Sequence, residues 1–170
     1  PFPICDPAFI RPFAHTTTSG LAAYVPPYPT ALLPIIASGL RTRHYINVVV
    51  AGKQPAAHWL TMDAAVKHCT EGIGIWSWAS NDQDVAPDVV MACCGDVPTL
   101  ETLAAVQLLR GLFPALQICV INVVDLIQLQ PYTENPTALS DNDFHVLSTS
   151  DIPINFPDHG YPCLCTLVQS

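Results

Sequence analysis

Charge is what this chain has least of. Of its 170 residues only 12% are charged, and six Lys and Arg face fourteen Asp and Glu, for a net charge of −8. Such a balance argues against a nucleic-acid partner, because phosphate neutralisation needs clustered basic side chains. It also fits poorly with a self-sufficient site for sugar phosphates. Metal-binding spacing is absent as well. The seven cysteines include the neighbours Cys93-Cys94, the pair Cys163 and Cys165, and the solitary Cys5, Cys69 and Cys119, with no Cys-x-x-Cys among them. Reduced, mostly buried thiols are expected, and a cytoplasmic location is the default. The histidines at 15, 44, 58, 68 and 145 show no ligand spacing and read as surface or helix-end residues, so no metal site is expected.

Long apolar helices are missing too. Residues 12–40 contain no Asp, Glu, Lys or Arg, but Pro26, Pro27, Pro29 and Pro34 are expected to break any helix there. A membrane span needs about twenty continuous apolar residues, so no membrane association is expected, and no signal-peptide pattern is visible. A glycine-rich phosphate loop is also lacking, since Gly72-x-Gly74 has neither a third glycine nor a preceding strand.

What is present is apolar. Half of the residues are hydrophobic, enough for one globular α/β unit. The first 40 residues are rich in Pro and Thr and read as loop or linker. A strand is expected from Tyr45 to Ala51. Thr61 then caps a short helix, with Asp63 in its first turn and Gly72 just past its last. Ser80-Asn81-Asp82-Gln83-Asp84 reads as an exposed inter-domain loop. Val89–Cys93 is a fully apolar strand, and Gly95-Asp96-Val97-Pro98-Thr99 turns it into a helix running to about Leu112, with Leu100, Leu103, Ala104 and Val106 near helical spacing. Ile118–Val124 is the next strand, a short helix follows over 141–148 behind Ser140, and Ile152–Phe156 is a third strand. Strands apolar on both faces that alternate with helices specify an α/β fold with a parallel sheet flanked by helices.

The stretch Asn47-Val48-Val49-Val50-Ala51-Gly52-Lys53-Gln54-Pro55 carries the candidate chemistry. A β-branched run ending in glycine and lysine reads as a buried strand that delivers one cation to the carboxyl edge of a sheet, where open α/β sheets bind ligands. The alternative reading of Lys53 is a solvated turn.

Four segments narrow the family: WLTMDAAVKHCTEGIGIW (59–76), PDVVMACCGDVPTLETLAAVQLLR (87–110), NVVDLIQLQP (122–131) and LSDNDFHVLSTSDIPINF (139–156). In order, and from about residue 44 to 162, the chain resembles the last third of phosphoketolases. These are thiamine-diphosphate- and Mg-dependent aldehyde-lyases that cleave xylulose 5-phosphate or fructose 6-phosphate with inorganic phosphate to give acetyl phosphate. The resemblance implies a transketolase carboxyl-terminal-domain-like fold. It divides the chain into a Pro-rich, degenerate remnant of the pyrimidine-binding domain (1–44), the last strand of that domain with a connecting helix and linker (45–86), and an incomplete carboxyl-terminal α/β domain (87–170). It also implies that Lys53 contacts the substrate phosphate.

Asp6-Pro7-Ala8-Phe9 resembles a worn His-Gln-Asp-Pro-Gly-Phe segment, with Ile4 where the family's catalytic histidine stands and Cys5 where its glutamine stands. Cys119 replaces a usual arginine, and Pro157-Asp158 replace an apolar-aromatic pair. His159-Gly160-Tyr161-Pro162 matches a family segment in which His159 and Tyr161 contact a ligand or partner subunit, or simply set a turn. The Gly-Asp-Gly and Asn-Asn signature for thiamine diphosphate is absent. The chain alone is therefore expected to bind no cofactor and to hold no catalytic residue, and its partners are the remainder of the phosphoketolase or a homodimer mate. The rival reading is a decayed paralogue, a non-catalytic interaction or metabolite-binding domain.

Overall fold

A computed structural model of the chain describes residues 21–43, 46–81, 85–129 and 152–157. In chain order the elements are β1 (Leu21–Tyr24), α1 (Pro29–Arg41), β2 (Ile46–Val49), α2 (Met62–Glu71), β3 (Ile73–Ile75), β4 (Val89–Cys94), α3 (Asp96–Leu112), β5 (Ile118–Val123), a 3-10 turn at Leu126–Leu129, and β6 (Ile154–Asn155). The expected 141–148 helix lies outside the described residues.

β4 and β5 pair in parallel from Val89↔Ile118 to Cys94↔Val123, and β6 pairs in parallel with β4 on its other side. The three expected strands are thus neighbours in one parallel arrangement. Two features were not anticipated. β3 adds antiparallel to β5, which makes the sheet mixed with order β3-β5-β4-β6. β6 is exposed at both of its residues, unlike β4 and β5, because it has a single neighbour and lies at the edge of the described sheet.

Side-chain alternation along β4 and β5 divides the core in two. Val90, Ala92 and Cys94 with Cys119, Ile121 and Val123 face Ala23 of β1 and the 3-10 turn. Met91 with Ile118, Val120 and Val124 face the other way, toward Ala31 and Ile35 of α1, Ala65 of α2 and Val106 of α3. α2 is bounded as its local chemistry requires: Thr61 Oγ1 accepts from Ala64 N at 3.4 Å, and Gly72 ends it in the left-handed conformation at φ 76°.

The expectation of loop or linker before residue 40 is corrected over residues 21–41. β1 pairs in parallel with β2, from Leu21↔Ile46 to Tyr24↔Val49. α1 forms although Pro34 lies inside it. Pro29 occupies the first turn, where no amide hydrogen is needed, and Pro34 removes one helical bond. Burial of Tyr28, Ala31 and Ile35 against the second core outweighs that loss. Ser80 and Asn81 are also corrected: Ser80 is buried and Asn81 partly so. Ser80 Oγ accepts from Val120 N at 2.9 Å and Asn81 Oδ1 from Ile118 N at 2.7 Å, so the two side chains continue the β3 ladder along β5.

Candidate functional site at the strand carboxyl ends

The carboxyl ends of β1, β2 and β4 converge. Pro26 and Tyr28 follow β1, Ala51, Gly52 and Gln54 follow β2, and Asp96 opens α3 just beyond β4; together they line a cleft of about 110 Å³. Lys53 is exposed and stands between Gly52 and Gln54, both of which line this cleft. Lys67 pairs with Glu71 at 3.9 Å and an Arg110 guanidinium nitrogen donates to the Ala79 carbonyl, whereas Lys53 has no ion pair among the described residues. The structure therefore puts Lys53 in the loop at the expected sheet edge, between two residues of the cleft, while its own side chain is not part of the lining.

From sequence, Asp96 reads only as part of a strand-to-helix turn. Gly95 makes that turn at φ 78°, and Asp96 Oδ1 accepts from Val97 N at 2.8 Å. A side chain at Gly52 would collide with this carboxylate, since a Cβ there lies 2.7 Å from the Asp96 Cγ. No local signal announces a contact of this kind, which depends on how two distant segments pack. His159, Tyr161 and Ile4 lie outside the described residues.

A second polar group, also missed, lies beneath α2 and α3. His68 Nε2 is 2.9 Å from Asn122 Oδ1, and Asn122 Nδ2 donates to Thr99 Oγ1 at 3.1 Å and to the Cys93 carbonyl at 3.3 Å. Since the Asn122 amide nitrogen is committed to these acceptors, its oxygen faces His68 and Nε2 carries the proton. Burial pushes the His68 pKa below its usual value, against the hydrogen bond to Asn122 and the nearby Glu71. Burial likewise raises the Cys93 thiol, despite the hydrogen bond from Asn122 Nδ2, and it pushes Cys69 up to about 11. Thiols held protonated in this way are poor nucleophiles, so the group reads as polar core and not as a nucleophilic site. The signal for a buried His68 was its spacing from Ala65, one helical turn earlier on the same face. This helix-end histidine is therefore buried and not at the surface.

A further depression, of about 350 Å³, lies between Trp59, Trp78 and the α3 side chains Leu100, Leu103, Gln107 and Arg110. Trp59 and Trp78 stack at 6.1 Å.

Among the described residues no group of three or more His, Cys, Asp or Glu side chains is placed to hold a metal ion. Mg bound to a diphosphate calls for one or two carboxylates with further oxygen ligands. The cleft offers Asp96 as its single carboxylate, and these residues do not fit the diphosphate end of thiamine diphosphate.

A family model described as the XFP C-terminal domain matches residues 53–168. The chain belongs to the XFP C-terminal domain family. The match starts at Lys53. Over 159 residues the chain is 60% identical to a probable phosphoketolase of Gloeobacter violaceus and 60% identical to probable phosphoketolase 1 of Rhizobium meliloti, covering 94% of this chain in each case. The chain spans about 20% of the length of these relatives. The resemblance to phosphoketolases drawn from the four segments is thus borne out across nearly the whole chain. Solved transketolases share the fold at low identity. The enzyme from Leishmania mexicana gives a TM-score of 0.57 at 15% identity over 85% of this chain and 19% of its own. A Pichia stipitis transketolase mutant gives 0.64 at 13% identity over 90% and 20%. The XFP C-terminal domain described here is an α/β fold of the transketolase carboxyl-terminal type. No helix among its described residues is long and apolar enough to cross a membrane.

Proposed function

We propose that this chain serves as the carboxyl-terminal part of a phosphoketolase, an aldehyde-lyase of carbohydrate metabolism that cleaves xylulose 5-phosphate or fructose 6-phosphate with inorganic phosphate to give acetyl phosphate. In this reading residues 1–44 and 45–86 belong to the end of the pyrimidine-binding domain, and 87–170 to the carboxyl-terminal domain. Thiamine diphosphate and Mg are held by the remainder of the enzyme or by a second copy, in the cytoplasm. Lys53 holds a substrate phosphate. The observation that supports this role is its place in the loop after β2, without an ion pair among the described residues and between two residues that line a cleft, in a chain 60% identical to probable phosphoketolases. An ammonium on a flexible stem is a point charge suited to a phosphate oxygen. His159 and Tyr161 are assigned to a ligand or subunit contact by the same resemblance.

The chain alone turns nothing over in this reading, because its sequence lacks the Gly-Asp-Gly and Asn-Asn signature for thiamine diphosphate. A non-catalytic role as an interaction or metabolite-binding domain is favoured by Ile4 at the family's histidine position and by the low count of six basic residues. One experiment separates the two. The chain replaces the matching fifth of the Gloeobacter violaceus relative, and acetyl phosphate is measured with thiamine diphosphate and Mg supplied. Turnover by the hybrid with none by the 170-residue chain supports the enzyme reading. A hybrid that folds, binds cofactor and stays inactive overturns it, and a metabolite that raises the melting temperature of the chain then supports the binding module.

A further inference from the structure

The loop that carries Lys53 has little to hold it. Val50 N donates to the Tyr24 carbonyl at 2.9 Å, and beyond that bond no hydrogen bond joins Ala51, Gly52, Lys53 or Gln54 to another described residue. All four are exposed. What fixes the loop is therefore packing, and at Gly52 it comes close to Asp96. The Asp96 carboxylate occupies the space that a side chain at Gly52 would fill, with an added Cβ 2.7 Å from Cγ and 3.3 Å from Oδ1. Gly52 does not have a positive φ, unlike Gly72 and Gly95, so glycine is required here by close approach and not by backbone conformation.

The carboxylate is itself anchored. Asp96 is the first residue of α3, and its Oδ1 accepts from Val97 N at 2.8 Å at a helix amino end that favours negative charge. α3 is rooted in the core through Thr99, Thr102 and Val106. A rigid helix thus presents a fixed carboxylate, the loop from β2 rests on it at Gly52, and Lys53 follows one peptide unit later, about 3.8 Å along the chain.

From this geometry we infer that Asp96 is a positioning residue for Lys53: it sets where the ammonium stands relative to the cleft. The inference rests on the reading of Lys53 as a phosphate-binding residue. By charge alone, a carboxylate in the wall of a phosphate cleft works against the anion. Its contribution to binding is therefore through shape, and an isosteric amide separates the two effects.

The test uses the full 170-residue chain with inorganic phosphate as the probe, followed by 15N NMR at residues 52–54. Two quantities are read: the amide shifts on titration and the relaxation of the free loop. Asp96→Asn keeps the shape and the bond from Val97 N, so the loop should stay as ordered as in wild type and phosphate should bind at least as tightly. Asp96→Ala should increase motion at 52–54 and weaken phosphate binding at least fivefold with little change in melting temperature. Gly52→Ala should weaken binding similarly by pushing the loop off the carboxylate. Because both changes act through one contact, Gly52→Ala combined with Asp96→Ala should bind no worse than Asp96→Ala alone.

Wild-type relaxation and affinity in Asp96→Ala, with binding lost in Lys53→Met, would overturn the positioning role and leave the phosphate reading standing. Equal weakening in Asp96→Asn and Asp96→Ala would also overturn it, since charge would then be what matters. If wild type shows no phosphate shifts, the affinity comparison is made in the hybrid enzyme; if Lys53→Met binds or turns over as wild type does, the phosphate reading itself fails. The relaxation data then still decide whether Asp96 orders the loop. Should Asp96→Ala fail to fold, Asp96→Asn and Gly52→Ala carry the comparison.

Discussion

Ala23 N donates to Asp125 Oδ1 at 3.1 Å, so a buried carboxylate at the end of β5 holds β1 in place. Asp125 Oδ1 also accepts from Ile127 N, its own amide donates to the Gly72 carbonyl, and Val25 N donates to the Val124 carbonyl. Segments far apart in the chain meet at this one side chain.

The burial that makes Asp125 a junction also raises its pKa from 3.8 to about 6, against the hydrogen bonds from Ile127, Ala23 and Gln128. A carboxyl group with a raised folded-state pKa stabilises the fold fully below its unfolded value, and that contribution is lost as pH rises through the folded value. The loss falls between about pH 4 and pH 6 and is on the order of 3 kcal/mol. Asp125→Asn keeps an acceptor for Ala23 and removes the charge. It should unfold at higher urea than wild type at pH 7.5, with the difference vanishing below pH 4. A variant less stable than wild type at pH 7.5 would show that the ionised form is the one the fold needs.

His68 runs the other way. Its pKa is lowered, so its contribution to stability is present above the unfolded value and is lost as pH falls through the folded one. Asn122→Leu leaves the His68 Nε2–H and the Thr99 hydroxyl without their shared partner. The expected cost is about 1–3 kcal/mol for each orphaned group, read from urea unfolding at pH 7.5. A change under about 0.5 kcal/mol would mean that the network contributes nothing net.

Two glycines should respond in opposite directions. At Gly72 the left-handed backbone costs a side chain about 1–2 kcal/mol, and an added Cβ meets Gln128 Cγ at 2.9 Å and Asp125 Cβ at 3.2 Å. At Gly111, inside α3, an added Cβ meets nothing within 4 Å, and alanine should gain about 0.5–1 kcal/mol. Thermal unfolding should therefore give a lower melting temperature for Gly72→Ala and a higher one for Gly111→Ala. The same sign at both sites would contradict the assigned backbone.

In the hybrid enzyme, Lys53→Met keeps the stem and deletes the charge. A charge-assisted contact of about 1.5–3 kcal/mol corresponds to a fall in kcat/KM of about 10- to 150-fold. Unchanged kcat/KM for both phosphate and the ketose phosphate would reduce Lys53 to a solvated turn.

Local signals in the sequence were legible and cooperative ones were not. Thr61 and Gly72 bound α2 as expected because a cap depends on residues three or four apart. β4 and β5 were readable from continuous apolar runs that only a doubly covered strand tolerates. α1 was hidden because its prolines argue locally against a helix, while the burial of Tyr28, Ala31 and Ile35 that maintains it is a tertiary fact. β3 is three residues long and exists only because β5 offers an edge beside Gly72. At the cleft, Lys53 was legible from its place after a strand. Asp96 was not, since its relation to Gly52 belongs to two segments that meet only when folded.

The side chains of Ser80 and Asn81 have a consequence for solubility. An exposed strand edge is a template on which other chains add and aggregate. Along β5 past β3, the amides of Ile118 and Val120 are already taken by Asn81 Oδ1 and Ser80 Oγ, and the Val120 and Ile118 carbonyls accept from Trp76 N and Asn81 N. An incoming strand finds neither donor nor acceptor there. Two short polar side chains thus insulate β5, a strand buried along its whole length, against self-association, without the length of a further strand.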